Sequence, residues 1–220
     1  MPATPTLRLE RRCWKAGERV VVGIDEVGRG AWAGPVTVGA VVPAPEHLRG
    51  IRDSKQLTRD ERERAARDVR DWAIAIGVGH ATHLECDELG MTAALRAAAH
   101  RALDQLATQG YEPDRVILDG NHDYLGLGKQ RVTTVIKGDA SVLGVAAASC
   151  VAKVTRDALM HEEADHYPPY DFESNVGYPA PVHKAALRGY GPSAIHRRTW
   201  IFMEGLCWRG LPPPPGRLFA

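Results

Sequence analysis

Short continuous apolar runs, each ended by polar residues or glycine, are the main pattern along this chain of 220 residues. Such runs are typical of strands that are buried on both faces of a sheet. They predict strands at Val20–Asp25, Pro35–Val42, about Trp72–His83, Arg115–Asp119 and from Val132 onward. The first two are close enough in sequence to pair antiparallel through a glycine-containing turn.

Helical patterns lie between these strands. They predict helices from the capping-box pair Thr58 and Glu61 to about Asp71, from an N-cap at Asp87 to about Ala107, and over about Ser141–His166. The long third helix contains the run Ala146-Ala-Ala-Ser149, whose small side chains allow close packing on a sheet. Strands that first follow one another and then alternate with helices favour one α/β domain with a mixed sheet.

The two ends of the chain differ from its centre. Residues 1–18 are polar and lack a periodic pattern, which predicts a flexible lead-in. Tyr167-Pro-Pro-Tyr170 ends the long helix because proline cannot continue it. We therefore expect a core at residues 19–167, a small helical extension at 168–210 and a Pro-rich tail at 211–220.

Composition narrows the class of protein. No run approaches the length of a membrane span, and the N-terminus lacks the pattern of a signal peptide. The four cysteines are scattered without a C-x-x-C pair, which indicates reduced thiols in a cytoplasmic protein. The net charge is only +1, but the segment Ser174–Met203 contains no acidic residue. That segment either presents a positive face to a phosphate backbone or is a basic surface without a partner.

Carboxylates follow three of the predicted strands: Asp25 with Glu26, then Asp119, then Asp139. Ligands of open α/β sheets gather outside strand ends, and clustered acids repel one another unless a cation relieves the repulsion. Oxygen ligands suit Mg²⁺ or Mn²⁺. Adjacent strand residues point to opposite faces. Therefore either the first strand ends at Asp25, or Glu26 acts through its carbonyl or a bound water.

A glycine-rich segment comes directly after the first carboxylate pair. Its glycines allow close approach of the backbone to a bulky ligand, and Arg29 between Gly28 and Gly30 is well placed to meet a phosphate. With Gly34 the spacing is one residue too wide for the dinucleotide-binding fingerprint, and no Walker A sequence follows. Taken alone, an Asp-Glu pair after a strand is more often solvated surface or a helix cap.

Several short motifs occur in the order found in the ribonuclease HII family, which this chain therefore resembles over roughly Val20–Phe202. The motifs are Gly23-Ile-Asp-Glu-Val-Gly-Arg-Gly30 with Gly34-Pro35, Asp53-Ser-Lys55, Leu118-Asp-Gly120, Lys137-Gly-Asp139, Ala147-Ala-Ser149, Ala152-Lys-Val-Thr-Arg-Asp157, Gly177-Tyr178, Gly191-Pro-Ser193 and His196-Arg-Arg198. Because so many motifs occur in the same order, the probability of a chance similarity is very small. Val27, where alanine is common, and Pro179 depart from the pattern without removing a functional group.

The resemblance implies a role for each matching residue. The four carboxylates would be catalytic and hold the divalent metals: Asp25, Glu26, Asp119 and Asp139. The ribose 2′-hydroxyl would contact the loop of Gly28, Arg29 and Gly30, with Tyr178 stacked beneath the sugar. The nucleic-acid backbone would contact Lys55, His196, Arg197 and Arg198. The implied fold is a ribonuclease H-like mixed β-sheet flanked by helices, with catalysis in the core and substrate binding in the C-terminal helical extension.

The function that the resemblance implies is endonucleolytic hydrolysis of the RNA strand of RNA–DNA hybrids. It includes nicking 5′ to single ribonucleotides embedded in duplex DNA, which removes misincorporated ribonucleotides. The reaction would use Mn²⁺ or Mg²⁺, with two ions in the reacting complex, and give 5′-phosphates. We expect a monomer without a membrane partner. Docking to replication or repair proteins is not readable from the sequence.

Two other functions fit parts of the pattern. A DNA strand transferase or resolvase on the same scaffold also uses clustered carboxylates, but would be indifferent to the 2′-hydroxyl. A non-catalytic hybrid-binding module would behave unchanged after Asp119→Asn. For the nuclease, contacts of Arg197 and Arg198 with phosphates predict salt-dependent binding that becomes less steep when both are replaced by alanine.

Overall fold

Five strands form a mixed sheet within residues 4–48, 50–51 and 58–206, which are the residues that the computed structural model describes. The strands are β1 (Val21–Val27), β2 (Val36–Val42), β3 (Ala75–Ala81), β4 (Arg115–Asp119) and β5 (Val132–Val135). They lie in the order β3-β2-β1-β4-β5. β1 is antiparallel to β2 and parallel to β4, which is parallel to β5. The mixed α/β sheet that the sequence predicts is therefore present.

The helices alternate with the later strands, as the sequence pattern indicates. They are α1 (Arg8–Lys15), α2 (Arg59–Trp72), α3 (His83–Leu89), α4 (Met91–Thr108), α5 (Leu143–Ala164), α6 (Phe172–Asn175) and α7 (Pro181–Tyr190). Short 3-10 turns cover Gly138–Ala140, Pro168–Tyr170 and Ile201–Gly205. None of the helices in the described part of the chain is both long and apolar enough to cross a membrane.

Helix α5 packs directly on the central strand. A Cβ placed on Gly23 of β1 would lie 2.2 Å from the backbone carbon of Gly144, so no side chain fits at this position. The alanines of α5 are buried against the sheet, as their small size predicts. Through this contact α5 carries Ser149 to the end of β1, where its hydroxyl bonds to Asp25.

Helix α4 covers the edge strand β3. Side chains of α4 bond to the exposed backbone of that strand: Gln105 accepts from the Val78 amide at 2.9 Å, and Gln109 donates to the Ile76 carbonyl at 2.8 Å. Open strand edges pair readily with other chains unless they are protected. The two glutamines provide hydrogen-bond partners for backbone groups of this edge strand and hold α4 against it.

The N-terminal segment differs from its prediction as a flexible lead-in. It contains α1, which buries Leu7, Glu10 and Cys13. Glu10 accepts from the Gly144 amide at 2.8 Å and so satisfies one free N–H at the start of α5. Burial raises the pKa of Glu10. The segment was predicted to be flexible because its few apolar residues lie among arginines. Glu10 gave no sign of a helix that packs on the core, because acidic side chains are usually exposed.

Helix α3 begins earlier than predicted. Thr82 is its N-cap and forms a complete capping box with Glu85, so the predicted cap at Asp87 is wrong. Asp87 lies inside the helix, and its carboxylate accepts from the Arg198 amide at 2.6 Å and the Thr199 hydroxyl at 2.8 Å. A carboxylate that anchors a distant segment cannot be distinguished from a cap by local sequence alone.

Two compact units make up the chain. The first comprises Met1–Val27, Thr37–His80 and Leu95–Val154, and the second comprises Gly28–Val36, Ala81–Ala94 and Thr155–Ala220. The first carries the paired residues of the sheet. The second has its own apolar cluster that includes Met160 and Phe172. Division of the chain at residues 19 and 168 stays a prediction, and the Pro-rich tail at 211–220 lies outside the described residues.

Candidate active site

The first group of candidate residues lies in the sheet-containing unit, where two parallel strands end side by side. β1 and β4 pair in parallel with Ile24 opposite Leu118, so Asp25 and Asp119 are the next residues of adjacent strands. β5 continues the parallel set, with Asp119 opposite Val135. The topology therefore brings carboxylates from distant parts of the chain to one edge of the sheet.

Asp25 is the most deeply buried of these acids, with 5% of its surface exposed. Its Oδ1 accepts from the Glu26 amide at 2.8 Å, and its carboxylate also accepts from the hydroxyl of Ser149. Burial raises the pKa of Asp25 well above its ordinary value, and the negative charges of Glu26 and Asp119 add to that effect. The side chain is therefore in a place where a nearby cation would stabilise its ionised form.

Glu26 belongs to the strand and not to the loop after it. β1 runs on to Val27, with Glu26 opposite Val38 of β2. Adjacent strand residues face opposite sides of a sheet, and the Tyr124 hydroxyl lies 3.4 Å from Glu26 Oε2. The alternative in which the strand ends at Asp25 is therefore wrong. A carbonyl or water-mediated role for Glu26 is the alternative that remains.

Asp139 lies in the turn that precedes α5, next to the residue that contacts the end of β4. β5 ends at Val135, and Asp139 lies in the 3-10 turn, so the predicted strand does not extend to the carboxylate. The Gly138 amide donates to Asp119 Oδ1 at 2.7 Å, which fixes the turn beside the end of β4. A Cβ on Gly138 would lie 3.3 Å from that same oxygen. Asp139, with 6% of its surface exposed, is the next residue.

The donor set suits a divalent cation. Its atoms are carboxylate oxygens, which Mg²⁺ and Mn²⁺ accept, and burial together with the charges of Glu26 and Asp119 raises the pKa of Asp25. Among the described residues, however, no three His, Cys, Asp or Glu side chains are arranged to hold an ion as they stand. Mg²⁺ is commonly held by one or two carboxylates together with water and substrate phosphates. The acids fit such an open site and not a closed cage.

The second group of candidate residues lies in the other unit, around the loop that begins at Gly28. The guanidinium of Arg197 is fully buried and bonds to three carbonyls of this loop. The distances are 2.8 Å to Gly28, 3.1 Å to Arg29 and 3.1 Å to Gly34. Burial lowers the pKa of Arg197 to about 10. The residue stays charged at neutral pH because that value is still far above 7.

A second buried arginine, Arg156, bonds to the far end of the same loop. It donates to the carbonyls of Pro35 at 2.9 Å and Ala33 at 3.1 Å, and to that of Val176 at 2.8 Å. Two guanidiniums thus hold most of the loop by its oxygen atoms. Buried backbone carbonyls are costly without donors, so the loop conformation depends on these two side chains.

The direction of the carbonyls fixes the direction of the amides. In a planar trans peptide, the C=O of one residue and the N–H of the next point to opposite sides. Since the Gly28 and Arg29 carbonyls point at Arg197, the Arg29 and Gly30 amides point away from it. The loop therefore turns two consecutive N–H groups away from the buried charge. Such paired amides can bind an electron-rich oxygen.

Tyr178 lies against this loop. Its hydroxyl accepts from the Gly28 amide at 3.1 Å, and a Cβ on Gly30 would be 4.0 Å from its ring. The guanidinium carbon of Arg156 lies 5.5 Å from the ring centroid. Gly28 has φ of 84°, and a side chain there would collide with Arg156. The structure thus brings together the predicted glycines and the predicted aromatic residue, with the ring half-buried.

The basic residues predicted to contact the nucleic-acid backbone lie in different places. Lys55 is outside the described residues. His196 and Arg197 are fully buried, so neither presents a group to a ligand. Arg198 is half-buried and donates to the Pro192 carbonyl at 3.2 Å. The prediction treated an acid-free segment as a surface, whereas the structure uses much of its charge internally.

Two residues that hold this loop and Tyr178 have no assigned role in the sequence pattern. Arg156 lies in the matched motif Ala152–Asp157, and its spacing on α5 repeats that of the buried alanines. His183 lies in the acid-free segment Ser174–Met203. Its ring is buried and bonds to the Tyr178 carbonyl at 2.7 Å. A proline-started helix next to the Gly177-Tyr178 motif was the available signal.

A helix-flanked mixed sheet with acids at adjacent strand ends defines an α/β protein of the ribonuclease H-like class. The model of the ribonuclease HII family matches residues 22–203, and the chain belongs to that family. Ribonuclease HII of Streptomyces avermitilis is 49% identical over 218 residues, covering 96% of this chain and 91% of that protein. Membership supports ribonuclease H activity of the second type, directed at the RNA of RNA–DNA hybrids.

Solved structures agree with this assignment. Ribonuclease H2 from Pyrococcus horikoshii OT3 is similar with a TM-score of 0.68 and 28% identity, over 84% of this chain and 96% of that one. Ribonuclease HII in the PCNA complex from Archaeoglobus fulgidus also has a TM-score of 0.68, at 25% identity, over 83% and 95% of the two chains. The resemblance seen in the motifs and the fold it implied are confirmed.

Removal of the charge at Asp25 is expected to stabilise the metal-free protein. The raised pKa means that the carboxyl stabilises the fold fully below its ordinary pKa of 3.8 and loses that contribution as pH rises through the folded pKa. Asp25→Asn should therefore unfold at higher temperature than the wild type in EDTA at pH 8, with the difference shrinking toward pH 4. Added Mn²⁺ should stabilise only the wild type.

Thermal unfolding with and without metal measures both effects. Asp68→Asn, on the exposed face of α2, is the matched control and should change neither. Equal stabilisation of wild type and Asp25→Asn by Mn²⁺ would show that Asp25 does not hold the cation.

Proposed function

We propose that this protein is a divalent-metal-dependent endoribonuclease that cuts the RNA strand of RNA–DNA hybrids and nicks duplex DNA 5′ to a single embedded ribonucleotide. The observation that carries the proposal is the pair of outward amides at Arg29 and Gly30, fixed by Arg197 and flanked by Tyr178. Gly28, at the start of this loop, follows Glu26 after one residue. The ribose-sensing loop is thus joined directly to the strand that carries two of the acids.

Recognition of RNA rests on the 2′-hydroxyl, which DNA lacks. Backbone amides in a glycine-containing loop can reach this oxygen without side-chain bulk, and the fixed peptide planes hold them ready before substrate arrives. Tyr178 would stack beneath the sugar and set its depth. Arg29 is exposed, and we assign it to the adjacent phosphate.

The acids would hold the metal. Asp25, Asp119 and Asp139 would contribute carboxylate oxygens, and Glu26 its carbonyl or a bound water. A pair of Mg²⁺ or Mn²⁺ ions supplies Lewis acidity and lowers the pKa of water. Ser149 holds the Asp25 carboxylate by its hydroxyl, and Gly138 holds that of Asp119. The products would carry a 3′-hydroxyl and a 5′-phosphate, without a covalent enzyme intermediate.

Three further features complete the proposal. The three described cysteines, Cys13, Cys86 and Cys150, are buried, and we place the protein in the reducing cytoplasm. It would act as a monomer in the removal of misincorporated ribonucleotides. We propose the helical segment 168–210 as the part that binds substrate, since it contains Tyr178.

A duplex with one ribonucleotide tests the proposal. With Mn²⁺ or Mg²⁺ present, mapping of the products should show one nick 5′ to that residue and a 5′-phosphate on the downstream fragment. The same duplex with deoxyribose at that position is the control and should stay intact. Equal cutting of both duplexes would instead favour a strand transferase or resolvase, which has no use for the 2′-hydroxyl.

A further inference from the structure

Two buried histidines form a hydrogen-bonded chain that ends on Tyr178. His196 Nε2 lies 2.8 Å from His183 Nε2, and His183 Nδ1 lies 2.7 Å from the Tyr178 carbonyl. At the other end, the Ser193 amide donates to His196 Nδ1 at 2.9 Å. Neither imidazole has an exposed surface. The mechanism above uses neither ring.

The two ends of the chain fix the position of every proton. The Ser193 amide can only donate, so His196 Nδ1 is an acceptor, and the Ser193 hydroxyl, 2.7 Å from the same nitrogen, donates to it as well. The proton of a neutral His196 ring is therefore on Nε2. His196 Nε2 then donates to His183 Nε2, which leaves the His183 proton on Nδ1. The Tyr178 carbonyl can only accept, and this requires the same His183 tautomer independently. The chain is therefore consistent from both directions.

The chain holds together only while both rings are neutral. A proton added to His183 would sit on Nε2 and oppose the Nε2–H of His196 at 2.8 Å. One added to His196 would sit on Nδ1, oppose the Ser193 amide and require the Ser193 hydroxyl to turn from donor to acceptor. Burial lowers the pKa of His183, and burial together with nearby His183, Arg198 and His83 lowers that of His196 well below its ordinary value.

The surroundings of the pair are aromatic. The Tyr170 ring lies 4.9 Å from His196 and 6.1 Å from His183, and Phe172 packs on both. Arg198 and His83 are the charged or titratable groups that act on His196 besides its partner, and both raise the cost of a second proton.

We propose that His183 and His196 are positioning residues for Tyr178: as a neutral pair they hold its backbone carbonyl and so set the ring that meets the ribose. The inference rests on the proposed function for its substrate, but the hydrogen-bond chain does not. Tyr178 is held at both ends, by His183 at the carbonyl and by the Gly28 amide at the hydroxyl. Loss of the hydrogen bond from His183 to the Tyr178 carbonyl should therefore also disturb the hydrogen bond from the Gly28 amide to the Tyr178 hydroxyl.

Nitrogen NMR of the histidine rings tests the chain in the unaltered protein. We expect the Nδ1–H tautomer for His183 and the Nε2–H tautomer for His196. Because both folded pKa values are lowered, the neutral rings stabilise the fold above pH 6.5, and that contribution is lost as pH falls through 6.5 toward the folded values. Reversed tautomers, or a ring protonated at pH 7, would overturn the proposal.

A double-mutant cycle tests the positioning role. His196→Phe keeps the core filled but removes the chain, and should lower kcat/KM on the single-ribonucleotide duplex roughly tenfold, within the range for a lost aromatic stack. In a Tyr178→Ala background it should add nothing, since the residue it positions is gone. The Gly28 amide resonance should shift in His196→Phe without any substrate.

Phe172→Leu is the matched control. It disturbs the same core against the same two rings but has no hydrogen bond in the chain. It should lower the melting temperature, leave the Gly28 amide in place and leave kcat/KM of the folded protein unchanged. Additive effects of His196→Phe and Tyr178→Ala, with an unmoved Gly28 amide, would overturn the proposal. If no ribonucleotide-containing duplex is cut, the proposed function is wrong. The NMR measurements on the histidine rings and on the Gly28 amide still test whether the hydrogen-bond chain exists and positions Tyr178.

Discussion

Asn in place of Asp119 is expected to reduce cleavage by roughly 1000-fold or more, while the protein still binds an RNA–DNA hybrid. The amide side chain keeps the Oδ1 that accepts from Gly138, so the turn before Asp139 should be unchanged. What is lost is one negative charge from the carboxylates proposed to hold the metal, and Lewis-acid stabilisation of the reaction amounts to several kcal/mol. Single-turnover cleavage and hybrid binding by fluorescence anisotropy measure the two effects separately.

The same substitution should raise stability when metal is absent. Asp119 is one of the charges that raise the pKa of Asp25, so removal of its charge relieves the repulsion on the buried Asp25 carboxylate. A variant that melts at higher temperature in EDTA but does not cut would show that Asp119 is needed for cleavage although its charge destabilises the metal-free protein. Asp104→Asn, on the exposed face of α4, should change neither property. Undiminished cleavage by Asp119→Asn would show that Asp119 is not needed for the reaction, whereas hybrid binding without cleavage in both wild type and variant would indicate a binding module.

Local signals were enough for most of the fold. The capping box of Thr58 and Glu61 forms as predicted and starts α2 at Arg59, because the interacting groups are three residues apart. The antiparallel pairing of β1 and β2 was also predicted correctly. There the apolar runs are separated by a short turn, which leaves few alternatives. Each of these predictions depends on neighbours in sequence.

The failures share a different cause. The position of Asp139 depends on Gly138 meeting Asp119, and the helix α1 depends on Glu10 meeting Gly144. Both contacts join segments far apart in the chain. A one-dimensional pattern shows that an acid or an amide needs a partner, but not which one it finds.

The basic C-terminal segment shows the same limit. A loop with several glycines leaves carbonyls without regular partners, so the sequence indicates a need for donors around Gly28 and Gly34. The donor that serves Gly34 is Arg197, 163 residues away. In sequence, that arginine looks like one more charge in an acid-free surface. In the structure, the loop that begins at Gly28 is held by it.

Substitution of Arg197 separates these two interpretations. Arg197→Ala removes the donor from the buried carbonyls of Gly28, Arg29 and Gly34. Since each buried unpaired group costs about 1–3 kcal/mol, the free energy of unfolding should fall by on the order of 3 kcal/mol or more. Arg197→Lys keeps the charge but not the planar fork of donors, and should lose most of the same stability. Arg188→Ala, which removes an exposed arginine from α7, should change stability by less than about 0.5 kcal/mol.

Salt titration of substrate binding distinguishes the two roles. An arginine on a phosphate makes the slope of log K against log salt steeper by about one, so its loss makes the slope shallower. A buried guanidinium that only orients the loop leaves the slope unchanged in Arg197→Lys, while preference for a ribonucleotide over deoxyribose falls because the Arg29 and Gly30 amides lose their fixed direction. A shallower slope in Arg197→Ala with stability and ribose preference intact would return Arg197 to the surface role that the sequence first indicated.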